Sequence, residues 1–115
     1  MDLDSYSFVL LRRGPRAAEY DAADQADQRD QLQTAHLAHL DDLRRQGKLL
    51  AAGPFSDQPD QTLRGLCIYG CALDEARSLA GKDPAVRAGR LSVETMTWWT
   101  RRGTFTFHVP EALSE

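Results

Sequence analysis

The apolar and polar positions of this chain follow two periods in turn, one typical of strands and one typical of helices. Strand patterns rich in aromatic, aliphatic and β-branched residues cover segments 6–12, 48–55, 63–71 and 91–100. Helical patterns, with a glycine at the end of each, cover segments 32–46 and 73–81. The order strand, helix, strand, strand, helix, strand predicts an α+β domain of the ferredoxin-like type (βαββαβ), in which an antiparallel sheet carries two helices on one face.

The first of these helices has an apolar stripe that also contains two histidines. Successive residues advance by ~100° around a helix, and the residues of the stripe share an arc of ~100°. They are Leu32, His36, His39, Leu40 and Leu43. Arg44 and Arg45 occupy the last turn and Gly47 follows, as expected where a helix ends. We therefore expect the face with His36 to pack against the sheet.

Residues 16–31 precede this helix and consist mostly of Ala, Asp and Gln. The composition fits either a solvated loop or a solvent-facing first part of the helix, because acidic residues are favoured near a helix N-terminus. A calcium site is not expected, since the run lacks the glycine turn of a calcium-binding loop.

The last strand carries large apolar side chains on both faces. Val93, Thr95, Thr97 and Trp99 alternate with Glu94, Met96 and Trp98. A tryptophan on each face predicts that both faces are at least partly covered. Because two helices can cover only one face, a second copy of the chain is expected to cover the other. Residues 103–109 are expected either to add a last strand or to reach across to that partner, and 110–115 to be frayed.

His36 lies one helical turn from both Leu32 and Leu40, and a polar group on a buried face must be satisfied. It is either a core-edge histidine bonded by backbone or water, or a histidine that faces a cleft between helix and sheet. In the second case it is suited to proton transfer, since imidazole exchanges protons near neutral pH. His39 suggests a metal pair with His36, but a zinc site needs at least three protein ligands, and the sequence offers no third.

Asp83 stands directly before Pro84, which is a common pattern at the start of a helix. It is either the N-cap of a short helix or a carboxylate at the edge of the cleft that orients a histidine. The sequence leaves both roles open.

Gly53 and Pro54 end the second strand, and Gly65 lies in the third, so the two strands predict an antiparallel hairpin. The glycines leave room for a close approach to the backbone, by a ligand or by a neighbouring side chain. Cys67 and Cys71, if both lie on one strand, are ~13 Å apart, so no disulfide between them is expected.

The composition, with 42% hydrophobic and 27% charged residues, is that of a soluble globular protein. No apolar run approaches the ~20 residues of a membrane span, and the N-terminal segment carries acids where a secretory signal carries bases. We therefore expect a cytoplasmic protein with no membrane partner. A formal net charge of −3 argues against a nucleic-acid partner. No nucleotide loop, nucleophile elbow or complete metal set is present, so no cofactor is expected.

An ordered set of short motifs resembles the YCII-related, or YciI-like, family. In chain order these are His36–Leu40 (HLAHL), Gly47–Leu50 (GKLL), Ala52–Phe55 (AGPF), Gly65 and Asp83–Gly89 (DPAVRAG). A strand with tryptophan follows them. The resemblance spans residues 6–107, which predicts a single domain for 1–115 with 108–115 as a C-terminal tail. It implies the dimeric α+β barrel group, in which two ferredoxin-like sheets pack face to face in a homodimer.

The resemblance also implies a site in which His36 and Asp83 meet in a cleft. His36 is then the general acid or base, and Asp83 fixes its tautomer. Gly53, Pro54, Gly65 and His39 are expected to border a small-molecule substrate. The implied chemistry is cofactor-free isomerisation or elimination, and one member of the family is a dehydrochlorinase of a chlorinated hydroxyquinol.

Two other functions fit the same sequence. One is a dimer whose cleft holds a small molecule without converting it, and the other is a structural dimer in which His36 is a buried hydrogen-bond hub. The acidic segment 16–31 is longer than in compact members, and the chain extends beyond Trp99. Because both additions border the expected cleft, the resemblance does not specify the substrate.

Overall fold

The computed structural model describes residues 2–57, 59 and 61–108. Its strands are β1 (Leu3–Arg13), β2 (Leu49–Pro54), β3 (Leu63–Tyr69) and β4 (Leu91–Arg101). Its helices are α1 (Ala17–Tyr20), α2 (Ala26–Arg45), α3 (Leu73–Gly81) and α4 (Pro84–Arg87), with a 3₁₀ turn at Ala23–Gln25. None of the described helices is long and apolar enough to cross a membrane.

The strands form one antiparallel sheet in the order β2-β3-β1-β4. This is the strand order of the ferredoxin-like fold and confirms the predicted fold class. β1 occupies the centre of the sheet, where Val9 pairs with Cys67 on β3 and with Thr95 on β4. Residues paired across antiparallel strands point to the same side, so this register decides which side chains meet the helices.

The helices lie on the side of the sheet to which Val9 and Leu11 point. The core there combines these two residues with Cys67 and Tyr69 of β3, Leu43 of α2 and Ala76 of α3. The alternation of buried and half-buried residues along β1 follows the two-residue period of a strand.

The acidic segment before the predicted helix is largely helical. α2 begins at Ala26, six residues before Leu32, so the solvent-facing helix start is the alternative that holds for 26–31. Upstream, Arg29 donates hydrogen bonds to the carbonyl oxygens of Tyr20 at 2.5 Å and Ala22 at 3.0 Å. These bonds tie α1 and the 3₁₀ turn to the start of α2. At the other end, Gly47 takes a left-handed φ of 76°, which lets the chain turn into β2.

The opposite side of the sheet carries a cluster that we call the aromatic face, made of Tyr6, Phe8, Trp98, Phe105 and Phe107. The ring centroids of Phe8 and Trp98 lie 4.8 Å apart, and those of Tyr6 and Phe107 lie 5.4 Å apart. Residues 105–107 therefore fold back over their own sheet. Up to residue 108 the described chain adds no further strand, and the predicted frayed end, 110–115, lies outside the described residues.

Trp99 corrects one expectation, since its side of β4 was predicted to be covered. The residue is 62% exposed. It points to the helical side of the sheet, but its partner on β1 is Ser5, which is also exposed. The helices do not reach this end of the sheet, so alternation predicted the direction of the side chain and not its burial.

Candidate active site

A cleft of about 290 Å³ lies between α2 and one end of the sheet. Its walls come from α2, from the end of β1, from the hairpin of β2 and β3, and from the start of β4. Residues that line these walls include His36, Leu37, Leu40, Leu11, Gly53, Pro54, Gly65, Cys67, Arg13, Arg64 and Arg90. The volume is close to the lower end of small-ligand sites, so a compact ligand fits best.

His36 borders this cleft and is buried, with 8% of the residue exposed. Its Nδ1 lies 2.5 Å from Oδ2 of Asp83. An ionised carboxylate can only accept hydrogen bonds, so Nδ1 is the donor, and in the neutral ring Nε2 then has a free lone pair. Within the described residues Nε2 has no hydrogen-bond partner, which leaves it available to a molecule in the cleft.

Asp83 is 2% exposed and lies behind His36, away from the cleft lining. Its second oxygen, Oδ1, accepts a hydrogen bond from the backbone N–H of Ala85 at 2.9 Å. The residue is therefore the N-cap of α4, with Pro84 at the first helical position. The sequence presents the helix cap and the partner of a histidine as alternative roles, and the carboxylate of Asp83 has both.

The other ionisable groups near Asp83 stay neutral at neutral pH. Burial raises the pKa of the Cys67 thiol to about 12, and the charge of Asp83 acts in the same direction. Burial also raises the pKa of the Tyr69 hydroxyl far above its ordinary value, with smaller contributions from Cys67 and Asp83. Cys67 borders the cleft as a thiol and not as a thiolate, so it is a poor nucleophile there. Both cysteines are free, and Cys71 lies beyond the end of β3, so the two do not share one strand.

The glycine wall of the cleft is shaped by backbone packing. A Cβ at Gly65 would lie 2.8 Å from the carbonyl oxygen of Gly53, a contact that real side chains do not make. The group that packs against Gly65 in the protein is thus the backbone of β2. At Gly53 no described atom lies within 4 Å of such a Cβ, so this position opens onto free space.

His39 does not border the cleft. Its Nε2 donates a hydrogen bond to the carbonyl oxygen of Leu79 at 3.0 Å and so links α2 to α3. The two histidines of the stripe thus bind to different elements, His36 to the cap of α4 and His39 to α3. Across the described residues, no three His, Cys, Asp or Glu side chains come together in a group able to hold a metal ion.

A set of cationic side chains at the cleft has no counterpart in the predictions from sequence. Arg13 forms an ion pair with Asp21, and Arg90 donates to Oε1 of Gln33 at 3.4 Å. The hydrogen bond from Arg13 lowers the pKa of Asp21, and the charge of Arg90 also lowers it. Arg13 ends one predicted strand and Arg90 precedes another. Only the antiparallel pairing of β1 with β4 brings these two ends together.

A comparison with known families identifies the class of protein. The family model of the YCII-related domain matches residues 15–100, so the chain belongs to this family. Among curated proteins no significant match is found.

A solved structure with the same fold is a 5-chloro-2-hydroxyhydroquinone dehydrochlorinase from Burkholderia phenoliruptrix, in complex with 2,5-dihydroxybenzoquinone. The TM-score is 0.51 and the sequence identity is 22%, over 84% of this chain and 95% of that chain. At this identity the similarity establishes the shared fold and not a shared reaction.

Proposed function

We propose that this protein is a cofactor-free acid/base enzyme of the isomerase or lyase type that acts on a small organic molecule. The observation that carries the proposal is the position of His36, which borders the cleft while its Nδ1 bonds to the buried carboxylate of Asp83. A histidine held in one tautomer at the edge of a ligand-sized cleft has the geometry of a general base.

The proposed reaction begins when Nε2 of His36 takes a proton from a carbon or hydroxyl of the substrate. The imidazolium that forms is stabilised by the carboxylate of Asp83. In an isomerisation, the ring returns the proton to a different atom of the substrate. In an elimination, the electron pair of the broken bond to hydrogen forms a new π bond while a leaving group such as chloride departs with its own electron pair. Neither course changes the number of electrons, so no oxidant or reductant is required.

The family and the shared fold support the elimination branch. The chain belongs to the YCII-related family, and a protein of the same fold is a dehydrochlorinase of a substituted hydroquinone. The cleft of about 290 Å³ suits a single ring with a few substituents. Gly53, Pro54 and Gly65 would form one wall beside that ring.

We further propose that two copies of the chain pack through the aromatic face. Residues 105–107 cover part of this face, yet Phe105 is 44% exposed, and Met96, on the same side of β4, is 36% exposed. Exposed apolar side chains grouped on one side of a sheet are typical of a surface that pairs with another protein. A second copy of the same sheet fits this surface by symmetry.

The test is turnover by the purified protein with two readouts. The first is chloride release from 5-chloro-2-hydroxyhydroquinone, and the second is deuterium incorporation from D₂O into a panel of hydroxy-aromatic and cyclic keto compounds. His36→Gln is expected to lower the rate at least about 100-fold without loss of fold. His108→Gln, the same change at an exposed position away from the cleft, is the control and is expected to keep the wild-type rate.

An equal rate in His36→Gln and wild type would overturn the proposal. Compounds that bind in the cleft but are never converted or exchanged would also overturn it, and would identify a small-molecule-binding protein.

A further inference from the structure

The mouth of the cleft carries two guanidinium groups from opposite ends of the chain. Arg13, at the end of β1, and Arg90, directly before β4, both line the cleft that His36 borders. Their bonding partners are Asp21 and Gln33, which line the same cleft. Arg64 also lines the cleft, so one carboxylate stands against three guanidinium groups and the lining has a net positive charge.

The guanidinium of Arg90 is only weakly hydrogen-bonded within the described part of the chain. It is half-buried, and its described contact is a long hydrogen bond of 3.4 Å to the neutral amide of Gln33. In the described part of the chain, no carboxylate lies within 4.0 Å of its guanidinium. A partly desolvated guanidinium is strongly stabilised by an anion, because charge-assisted bonds to oxygen exceed neutral ones in strength.

Asp21 is a carboxylate of the protein that is bound beside Arg13 and Arg90. Its carboxylate pairs with Arg13 and lies close enough to Arg90 for the charge of Arg90 to lower its pKa. The side chain of Asp21 is half exposed, so its carboxylate also contacts solvent. A carboxylate of the protein thus occupies the place where a carboxylate or phenolate of a ligand can bind.

We propose that the cleft selects a small aromatic or cyclic anion, whose negative oxygen binds at Arg90 and Arg13 in competition with Asp21. The apolar ring of that ligand packs against Leu37 and Leu40, with His36 at the inner end. The inference rests on the proposed function for the identity of the site and adds the class of substrate. It gives Arg90 a role in substrate specificity that is separate from the proton transfer by His36.

The experiment measures the affinity of matched probes by calorimetry at low ionic strength, where charge effects are largest. The probes are benzoate, 2-hydroxybenzoate and cyclohex-1-enecarboxylate, each compared with its neutral amide. At least one anion is expected to bind ten times more tightly than its amide, since a hydrogen bond to a charged group contributes that much or more.

Two variants test the residues. Arg90→Gln is expected to weaken binding of that anion about tenfold and to leave its amide unchanged. Asp21→Asn removes the competing carboxylate and is expected to strengthen binding of the anion. Arg45→Gln and Glu19→Gln are the matched controls, since both residues are exposed, form surface ion pairs and do not line the cleft. Urea denaturation checks that each variant folds.

The outcomes separate this inference from the proposed function. If no anion of the panel binds more tightly than its amide, or if Arg90→Gln binds like Arg45→Gln, the anion site is wrong even when His36-dependent turnover is observed. If the anion preference depends on Arg90 in a protein without turnover, the site stands and the proposed reaction falls. Binding of the anion by His36→Gln is expected to persist in either case.

Discussion

Asp83 divides its carboxylate between His36 and the start of a helix. One oxygen lies 2.5 Å from Nδ1 of the ring, and the other accepts the backbone N–H of Ala85 at 2.9 Å. The N–H of a helix end is fixed by the backbone, so the cap holds the carboxylate in position for the ring. The orientation of His36 is therefore set by secondary structure and not by a second mobile side chain.

Asp83→Asn is expected to preserve the fold and to disable the general base of the proposed reaction. An asparagine oxygen can still accept the N–H of Ala85, which leaves its amide NH₂ to donate to Nδ1 of His36. The proton of the ring then moves to Nε2, the atom that must be free to accept one. Ring ¹⁵N chemical shifts of His36 measure the tautomer, and turnover is expected to fall at least about 100-fold. An unchanged ring tautomer would contradict the role given to Asp83.

Asp83→Ala is expected to destabilise the fold by about 2–4 kcal/mol. It removes the cap of α4 and also leaves the ring N–H of His36 buried without its acceptor. Urea denaturation provides the measurement. Asp74→Ala is the control, since the side chain of Asp74 lies in the first turn of α3 and is 97% exposed, with an expected change within about 0.5 kcal/mol. Equal effects in the two variants would mean that the buried contacts of Asp83 contribute nothing.

Gly65→Ala and Gly53→Ala are expected to differ although both add one methyl group to neighbouring strands. At Gly65 the methyl group meets a backbone oxygen at 2.8 Å, so β2 must move, at a cost of about 1–3 kcal/mol. At Gly53 the methyl group enters open space, and a change below about 1 kcal/mol is expected. The midpoints of urea denaturation measure the two costs. Equal midpoints would show that β2 does not pack closely enough against Gly65 to exclude a methyl group.

Cys67 is expected to resist alkylation in the folded protein. Burial raises its pKa from 9.0 to about 12, so at a pH near 8 its thiolate is about a thousandfold rarer than in the unfolded chain. Iodoacetamide labelling followed by peptide mass spectrometry is expected to modify Cys67 only after denaturation. The same shift makes the unfolded chain lose this proton first as the pH rises from 9 to 12, so the free energy of unfolding falls over that range. Rapid labelling of Cys67 in the native protein would contradict its burial.

Met96→Lys is expected to weaken dimers that form through the aromatic face. A lysine there places a charge among the apolar side chains of two facing sheets, and burying an unpaired charge is strongly unfavourable. Sedimentation velocity over a range of concentrations measures the association. Thr97→Lys is the control, because Thr97 is the next residue on the same strand and points to the other side of the sheet. If wild type and both variants are monomers at all concentrations, the aromatic face does not pair.

The sequence predicted most of the fold because its apolar periods are clear. The helix at Leu73–Gly81 has the predicted bounds, whereas β1 and β4 are longer than predicted and β2 and β3 are shorter, by three residues at most at any end. The sequence did not decide whether segment 17–31 is helical, because Ala, Asp and Gln give no apolar face to detect. The sequence placed Trp99 on the same face of β4 as Val93, as observed, but its exposure depends on how far the helices reach.

The site was harder to predict than the fold, because its contacts join distant parts of the chain. A local motif identified Asp83 as a helix cap, and the family resemblance identified it as the partner of His36. Nothing in the sequence showed that one carboxylate does both. Arg13 and Arg90 have no motif of their own, and only the strand register makes them neighbours.

The bond between His36 and Asp83 joins residues that are 47 positions apart. His36 belongs to α2, between the first and second strands, and Asp83 caps α4, directly before the last strand. During synthesis α2 leaves the ribosome well before its partner, so an incomplete chain has the imidazole but not the anion that orients it. Contacts between distant segments form late, because the loop between them must first be closed. A nascent chain that ends before residue 83 therefore lacks the bond between His36 and Asp83, which needs both halves of the domain.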